Sequence, residues 1–203
     1  MRPTLIEACR GVNLCSAVIY NREEAAQTGM PFAKFPAWAK AVAKLSPLRA
    51  AYYRFCLLTG ARGGEAARLE WKDVDCRART ITFRQAKAGA DIVLPMSAAI
   101  ARELKRARDA EGVAKDSRYI FSGVRGVTWK DKLPAKGHAL RHSWRTVAAD
   151  CGVDELQARL LLGHSLVGIS QSYVTCAALQ GGPGLRAAQR KVSNRIVGLL
   201  GEA

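Results

Sequence analysis

His138-Ala139-Leu140-Arg141-His142, a helix-like run, then Leu162-Gly163-His164 and finally Tyr173 form the stretch around which this chain is organised. In a helix, His138 and Arg141 stand three apart and share a face. His164 follows a glycine stop, and Tyr173 lies within one loop and turn of it. Arginine offers a planar fork of donors matched to phosphate oxygens, histidine moves protons and tyrosine can attack. Together they point to chemistry on a phosphodiester.

Within that stretch, Trp144, Val147 and Cys151 predict the inner side of a helix that Gly152 ends, with His138, Arg141 and His142 on another face. Leu156, Leu160 and Leu161 predict a second short helix, stopped by Gly163, with His164 at its C-terminal edge. Downstream, Gly181-Gly182-Pro183-Gly184 reads as a flexible connection. Leu185, Ala188, Val192, Ile196 and Leu199 then recur at three- and four-residue steps, a narrow apolar seam suited to docking.

Upstream, Trp38, Val42 and Leu45 keep helical spacing before Ser46-Pro47, a cap followed by a helix-opening proline. The next helix carries Tyr52, Phe55, Cys56 and Leu58 and stops at Thr59-Gly60. Arg62 then sits at a glycine-rich helix start, where backbone can approach a ligand, and Glu65 can brace its guanidinium. On that stretch alone, an ordinary surface arginine with a first-turn glutamate is the plainer reading.

Residues 80–84 alternate polar and apolar, and Ile92-Val93-Leu94-Pro95 makes a second short strand, so a β-hairpin is expected with Lys87 near its turn. Residues 97–111 predict a basic amphipathic helix, with Ile100 and Leu104 inward and Arg102, Lys105, Arg106 and Arg108 outward. Tyr119-Ile120-Phe121 reads as a short buried piece, and Lys130, Lys132 and Lys136 lead into the opening stretch. Residues 1–35 show only broken apolar patterns and read as a linker or the remnant of an absent neighbouring domain.

Composition narrows the partners. The 203 residues suffice for one large domain, and with 49% hydrophobic residues wholesale disorder is excluded. A net charge of +15 favours nucleic acid or an anionic membrane surface. No apolar run reaches the roughly 20 residues of a membrane-spanning helix, and no signal peptide is expected after Met1-Arg2-Pro3, so the expectation is a cytoplasmic protein that binds nucleic acid. The six cysteines show no C-x-x-C pair and read as reduced, mostly buried thiols. His138 and His142 resemble half of a metal-binding helix, but no glutamate adjoins His138, so no metal is expected.

Taken in order, these boxes resemble the tyrosine recombinases, the phage integrase family. Thr59-Gly60-Ala61-Arg62-Gly63-Gly64-Glu65-Ala66, with Leu69, Trp71 and Asp73-Val74-Asp75, is similar to the family's first arginine box. Lys87 resembles the β-hairpin lysine, and His138-Ala139-Leu140-Arg141-His142 the second box. Leu161-Leu162-Gly163-His164 and Tyr173 resemble the third box and the nucleophile. The resemblance covers roughly residues 45 to 176, and five elements in register are far more specific than a lone box.

The resemblance implies an α+β, mainly helical catalytic domain over residues 36–180 with a small antiparallel sheet on one edge. It also implies a C-terminal tail helix over 181–203, docking on a neighbouring subunit or packing back on its own domain. Residues 1–35 are too few for the helical core-binding domain that family members usually carry. The implied activity is site-specific DNA recombination through a 3′-phosphotyrosyl intermediate. Tyr173 would be the nucleophile, Arg62 and Arg141 the phosphate clamps, and His138 the proton acceptor. Lys87 would be the general acid, His164 a phosphate ligand and Glu65 a support. No cofactor is implied. The implied partners are double-stranded DNA, further copies of the chain in a tetramer on DNA, and an accessory DNA-bending protein. The competing readings are a type IB topoisomerase, a non-catalytic DNA-binding relative and a generic basic RNA-binding protein.

Overall fold

The structure is a computed structural model that describes residues 29–84, 91–111, 116–124, 131–164, 179 and 181–201. Helix α1 (Phe35–Val42) follows a short 3₁₀ turn, Phe32–Lys34, and is followed by α2 (Pro47–Thr59) and the one-turn α3 (Gly63–Ala67). Strands β1 (Val74–Asp75), β2 (Thr80–Phe83) and β3 (Ile92–Pro95) precede α4 (Ala98–Arg108). Helices α5 (His138–Asp150), α6 (Glu155–Leu161) and α7 (Pro183–Leu200) complete the described elements. A mainly helical chain with a small antiparallel sheet, as expected, is what folds.

Helix α2 is the axis of the domain. Every residue from Ala51 to Thr59 is buried, including Arg54, so this helix is enclosed on all sides rather than along one stripe. It packs against α1, α3, α4, α5 and α7. Its aromatic side makes a cluster in which Tyr52 and Phe55 meet Phe121 at ring-centroid distances of 5.4 and 5.2 Å. Ile120 and Phe121 are buried as the sequence predicts, whereas Tyr119 is exposed and pairs by a single bridge with Glu70.

The sheet has the order β1-β2-β3 and is antiparallel throughout. Ile81 faces Leu94 and Phe83 faces Ile92, so the apolar members of both main strands share the buried face. The two-residue β1 gave no period from which to predict it. The turn carrying Lys87 lies outside the described residues.

Helix ends follow the sequence with one exception. Ser46 stands at the N-cap of α2 but makes no side-chain capping bond, so Pro47 alone marks that start. Ser97 does cap α4, accepting from the Ile100 N–H at 3.3 Å. Asp154 caps α6 through the N–H groups of Leu156 and Gln157. On α4, Ile100 and Leu104 are buried as expected, but so is Glu103, which accepts from Arg106 at 2.7 Å.

Residues 30–35 are built into the domain. Met30 and Phe35 are buried, and the Met30 N–H donates to Ser143 Oγ at 2.8 Å. At the other end, Leu185, Ala188, Val192 and Ile196 are buried, while Leu199 is only partly so. That seam lies against α1, α2, α4, α5 and α6 of the same chain. Any surface that α7 offers a second copy in this arrangement is therefore its opposite, polar face.

Of the described cysteines only Cys56 is buried, its thiol pushed up to about 12 chiefly by that burial. Cys76 is exposed at the sheet edge and Cys151 half-buried at the α5 C-cap, so two of the three described thiols depart from the expected burial, and Cys9, Cys15 and Cys176 lie outside the described residues. All three are free. No described helix is long and apolar enough to cross a membrane.

Candidate active site

The last turn of α2 leaves carbonyls with no partner further along the helix. Gly60 ends it in the left-handed conformation, φ 66°. A Cβ there would stand 2.6 Å from Leu162 Cδ2 and 3.1 Å from the Trp144 ring. Gly60 thus does two things: it turns the chain, and it lets α5 and the end of α6 close against the α2 terminus.

Arg141 fills the gap between those ends. Its Nη1 donates to Gly60 O at 2.8 Å, its Nη2 to Leu162 O at 2.7 Å, and Nη2 also meets His164 Nε2 at 2.8 Å. An arginine has only donors, so Nε2 accepts here and the His164 ring is neutral with its proton on Nδ1. Arg141 is only 7% exposed. This corrects the expectation that it shares an outer face with His138 and His142, both exposed. Its fork is drawn inward because two helix ends need donors there.

Arg62 reaches the same region from the loop after α2. It is the N-cap residue of α3, and Glu65 binds it twice, accepting from its backbone N–H at 3.0 Å and from Nη1 at 2.7 Å. Glu65 is largely buried and Arg62 about a quarter exposed, so this pair is no solvated surface bridge. Tyr52 Oη donates to Gly63 O at 3.0 Å and would lie 2.8 Å from any Cβ on Gly63. That contact holds the start of α3 against α2 and explains the glycine after Arg62.

Electrostatics tie the groups together. Loss of hydration pushes Arg141 down to about 10, Arg62 pushes it in the same direction, and Glu65 opposes them. His164 is pushed below its ordinary value by partial desolvation first, then by Arg141, Arg62, Arg159 and Arg145. Both groups feel Arg62 across the site. The result is a concentrated positive field at the C-terminal end of α2, with Glu65 as its nearest counter-charge.

Four of the sequence-predicted residues, Arg62, Glu65, Arg141 and His164, are therefore brought together. His138 stands in the first turn of α5, exposed, with its ring centroid 6.4 Å from that of His142. Lys87 and Tyr173 lie outside the described residues. Sequence reading passed over the supports: Trp144 Nε1 and Gln189 Nε2 both donate to Leu58 O, at 3.1 and 2.9 Å. A glutamine beside Ala188 within an apolar seam was the available signal. Among the described residues no group of three His, Cys, Asp or Glu could hold a metal ion.

Comparison with known proteins identifies the family and the fold. The sequence profile of the phage integrase family matches residues 37–132. The chain is 31% identical over 166 residues to tyrosine recombinase XerA of Thermococcus onnurineus (strain NA1), covering 72% of this chain and 56% of that protein. It is 28% identical over 138 residues to tyrosine recombinase XerA of Pyrococcus furiosus, covering 59% and 47%. The chain thus spans about half the length of the curated relatives it matches. Among solved structures, its fold resembles the Tn1549 transposon integrase in complex with circular intermediate DNA, with a TM-score of 0.55, 16% identity and coverage of 76% and 63%. It also resembles the XerH site-specific recombinase bound to difH substrate, with a TM-score of 0.51, 19% identity and coverage of 68% and 47%. The chain belongs to the phage integrase family, the tyrosine recombinases.

Proposed function

We propose that this chain carries the catalytic unit of a site-specific DNA recombinase, which breaks and rejoins DNA strands through a covalent phosphotyrosyl intermediate. The observation that carries the reading is the convergence of Arg141, the Arg62–Glu65 pair and His164 at the end of α2. Fixed guanidinium groups in a partly dehydrated site stabilise charge that develops on a phosphate.

In this reading Tyr173 Oη attacks the scissile phosphorus and His138 takes the phenolic proton. The phosphorus–oxygen bond to the leaving 5′-oxygen breaks, and Lys87 protonates that oxygen. Arg62 and Arg141 hold the non-bridging oxygens, and Glu65 fixes the Arg62 fork. Two backbone carbonyls occupy part of the Arg141 fork, and a third N–H points to His164. A phosphate oxygen entering there would compete with His164 for that N–H; His164, released from Arg141, could then carry its proton on Nε2 and donate to the same oxygen. The phosphotyrosyl link retains the energy of the phosphodiester. A 5′-hydroxyl of another strand can therefore attack it, and exchange needs no nucleotide hydrolysis.

Exchange between two duplexes requires one such unit per broken strand, so self-association on double-stranded DNA follows from the chemistry. The test is incubation with a nicked candidate attachment site, followed by a denaturing gel for a protein–DNA adduct. The wild-type chain is expected to form the adduct, and Tyr173→Phe to bind the DNA without forming it. An adduct with Tyr173→Phe would remove the nucleophile assignment. A paired assay on supercoiled plasmid separates recombination of two sites from the mere relaxation expected of a topoisomerase.

A further inference from the structure

We infer that Gln189, on the C-terminal helix α7, is a positioning residue for the phosphate clamp, acting through the Leu58 carbonyl at the end of α2. The inference rests on the recombinase reading and extends it to a helix that reading leaves without a chemical task.

The contacts form a continuous buried line. Gln189 is fully buried, and its Nε2 donates to Leu58 O at 2.9 Å and to Ser193 Oγ at 3.0 Å. Leu58 O also accepts from Trp144 Nε1 at 3.1 Å. Two residues on, Gly60 O takes the Arg141 fork. Trp144 and Arg141 stand three apart on α5, so one helix face grips the α2 terminus twice while α7 grips it from another side. Gly60 lies so close to Trp144 and Leu162 that a small tilt of the terminus would alter the seat of Arg141.

A second observation concerns what Gln189 leaves undone. Among the described residues its Oε1 is buried without a hydrogen-bond partner. A buried amide with one orphan atom stabilises a fold less than an apolar side chain of similar shape. Leu58 O would keep the Trp144 bond if Gln189 were replaced by such a side chain. Core packing is therefore a poor reason for glutamine at this position, whereas holding the α2 terminus at a set angle requires a donor on α7.

The experiment measures the single-turnover rate of adduct formation on the nicked site, alongside DNA affinity and melting temperature. Gln189→Met keeps length and apolar packing but removes the donor. Its cleavage rate is expected to fall about tenfold, the rate equivalent of one lost hydrogen bond, with DNA affinity unchanged. Gln189→Glu supplies a donor only when protonated, so its rate relative to wild type should recover as pH falls from about 8 to about 6, where a buried carboxyl regains its proton. Ile81→Val removes a buried methyl group from the sheet and lowers the melting temperature without altering a hydrogen bond to Leu58 O or Ser193; it should leave the rate unchanged. A wild-type rate for Gln189→Met, equal slowing by Ile81→Val, or no recovery of Gln189→Glu at low pH would each overturn the inference. Absence of any adduct with the wild-type chain would instead overturn the recombinase reading.

Discussion

His164 meets a guanidinium through its acceptor nitrogen and lies in the field of four arginines. Protonation would abolish the acceptor and add a fifth cation, so the folded state holds the ring neutral below its ordinary value. The unfolded chain takes up the proton near pH 6.5. Folded protein thus binds fewer protons in the window below that value, and stability is lost there as pH falls. The His164 contribution is complete above about pH 6.5 and declines below it. Melting temperatures of wild type and His164→Gln, followed from about pH 8 to about pH 5, should converge as the pH falls. A constant difference across that range would show that the Arg141 contact does not titrate. At this scale part was legible in advance: Arg141 and His164 stood out by residue type and spacing, whereas Arg62 and Glu65 read on their own as a surface pair and entered the site through the family resemblance. The direction in which Arg141 points was not. Periodicity assigns a face from neighbouring apolar residues, whereas the carbonyls that capture Arg141 belong to residues 21 and 81 positions away.

At the scale of elements, the segment entering α5 has its own anchor. Asp131 is 5% exposed and accepts from Arg49 and from Tyr53 Oη, the latter at 2.9 Å. Its backbone carbonyl takes Lys136 Nζ at 2.8 Å. This staples the approach to His138 and Arg141 onto α2. Asp131→Ala would remove the carboxylate that accepts from both a buried phenol and a half-buried guanidinium. It should cost about 2–3 kcal/mol, reading a partly exposed pair below the full buried-pair loss. Denaturant unfolding would show this as a lower midpoint with an unchanged slope, and an unaltered midpoint would remove the anchoring role. The sequence offered Asp131 only as one residue beside a run of lysines. Its importance comes from contacts across 78 and 82 positions, which no local pattern encodes. Glycine-marked ends and amphipathic helices were read correctly because cap chemistry and helical period are local properties.

For the molecule as a whole, α7 decides how the catalytic unit is closed. Its buried face touches α1, α2, α4, α5 and α6, so it covers the core around the axial helix. Removal of residues 181–203 would expose the core surface beneath that face and leave Leu58 O with one donor fewer. The truncated chain should lose its cooperative thermal transition and bind a hydrophobic dye, as incompletely packed domains do. A sharp transition at the wild-type temperature would mean that α7 contributes nothing to closure. The basic composition, the helical class, the hairpin strands, the amphipathic seam and the order of the family's boxes were all determined by the sequence itself, through charge, period and spacing. Only the tertiary structure decided that the seam is covered within the chain. Likewise, it alone turned Arg141 inward and drew Trp144 and Gln189 onto one carbonyl. The physical reason is common to all three: an apolar face and a helix end each demand a partner, and the identity of that partner is a property of the packed whole.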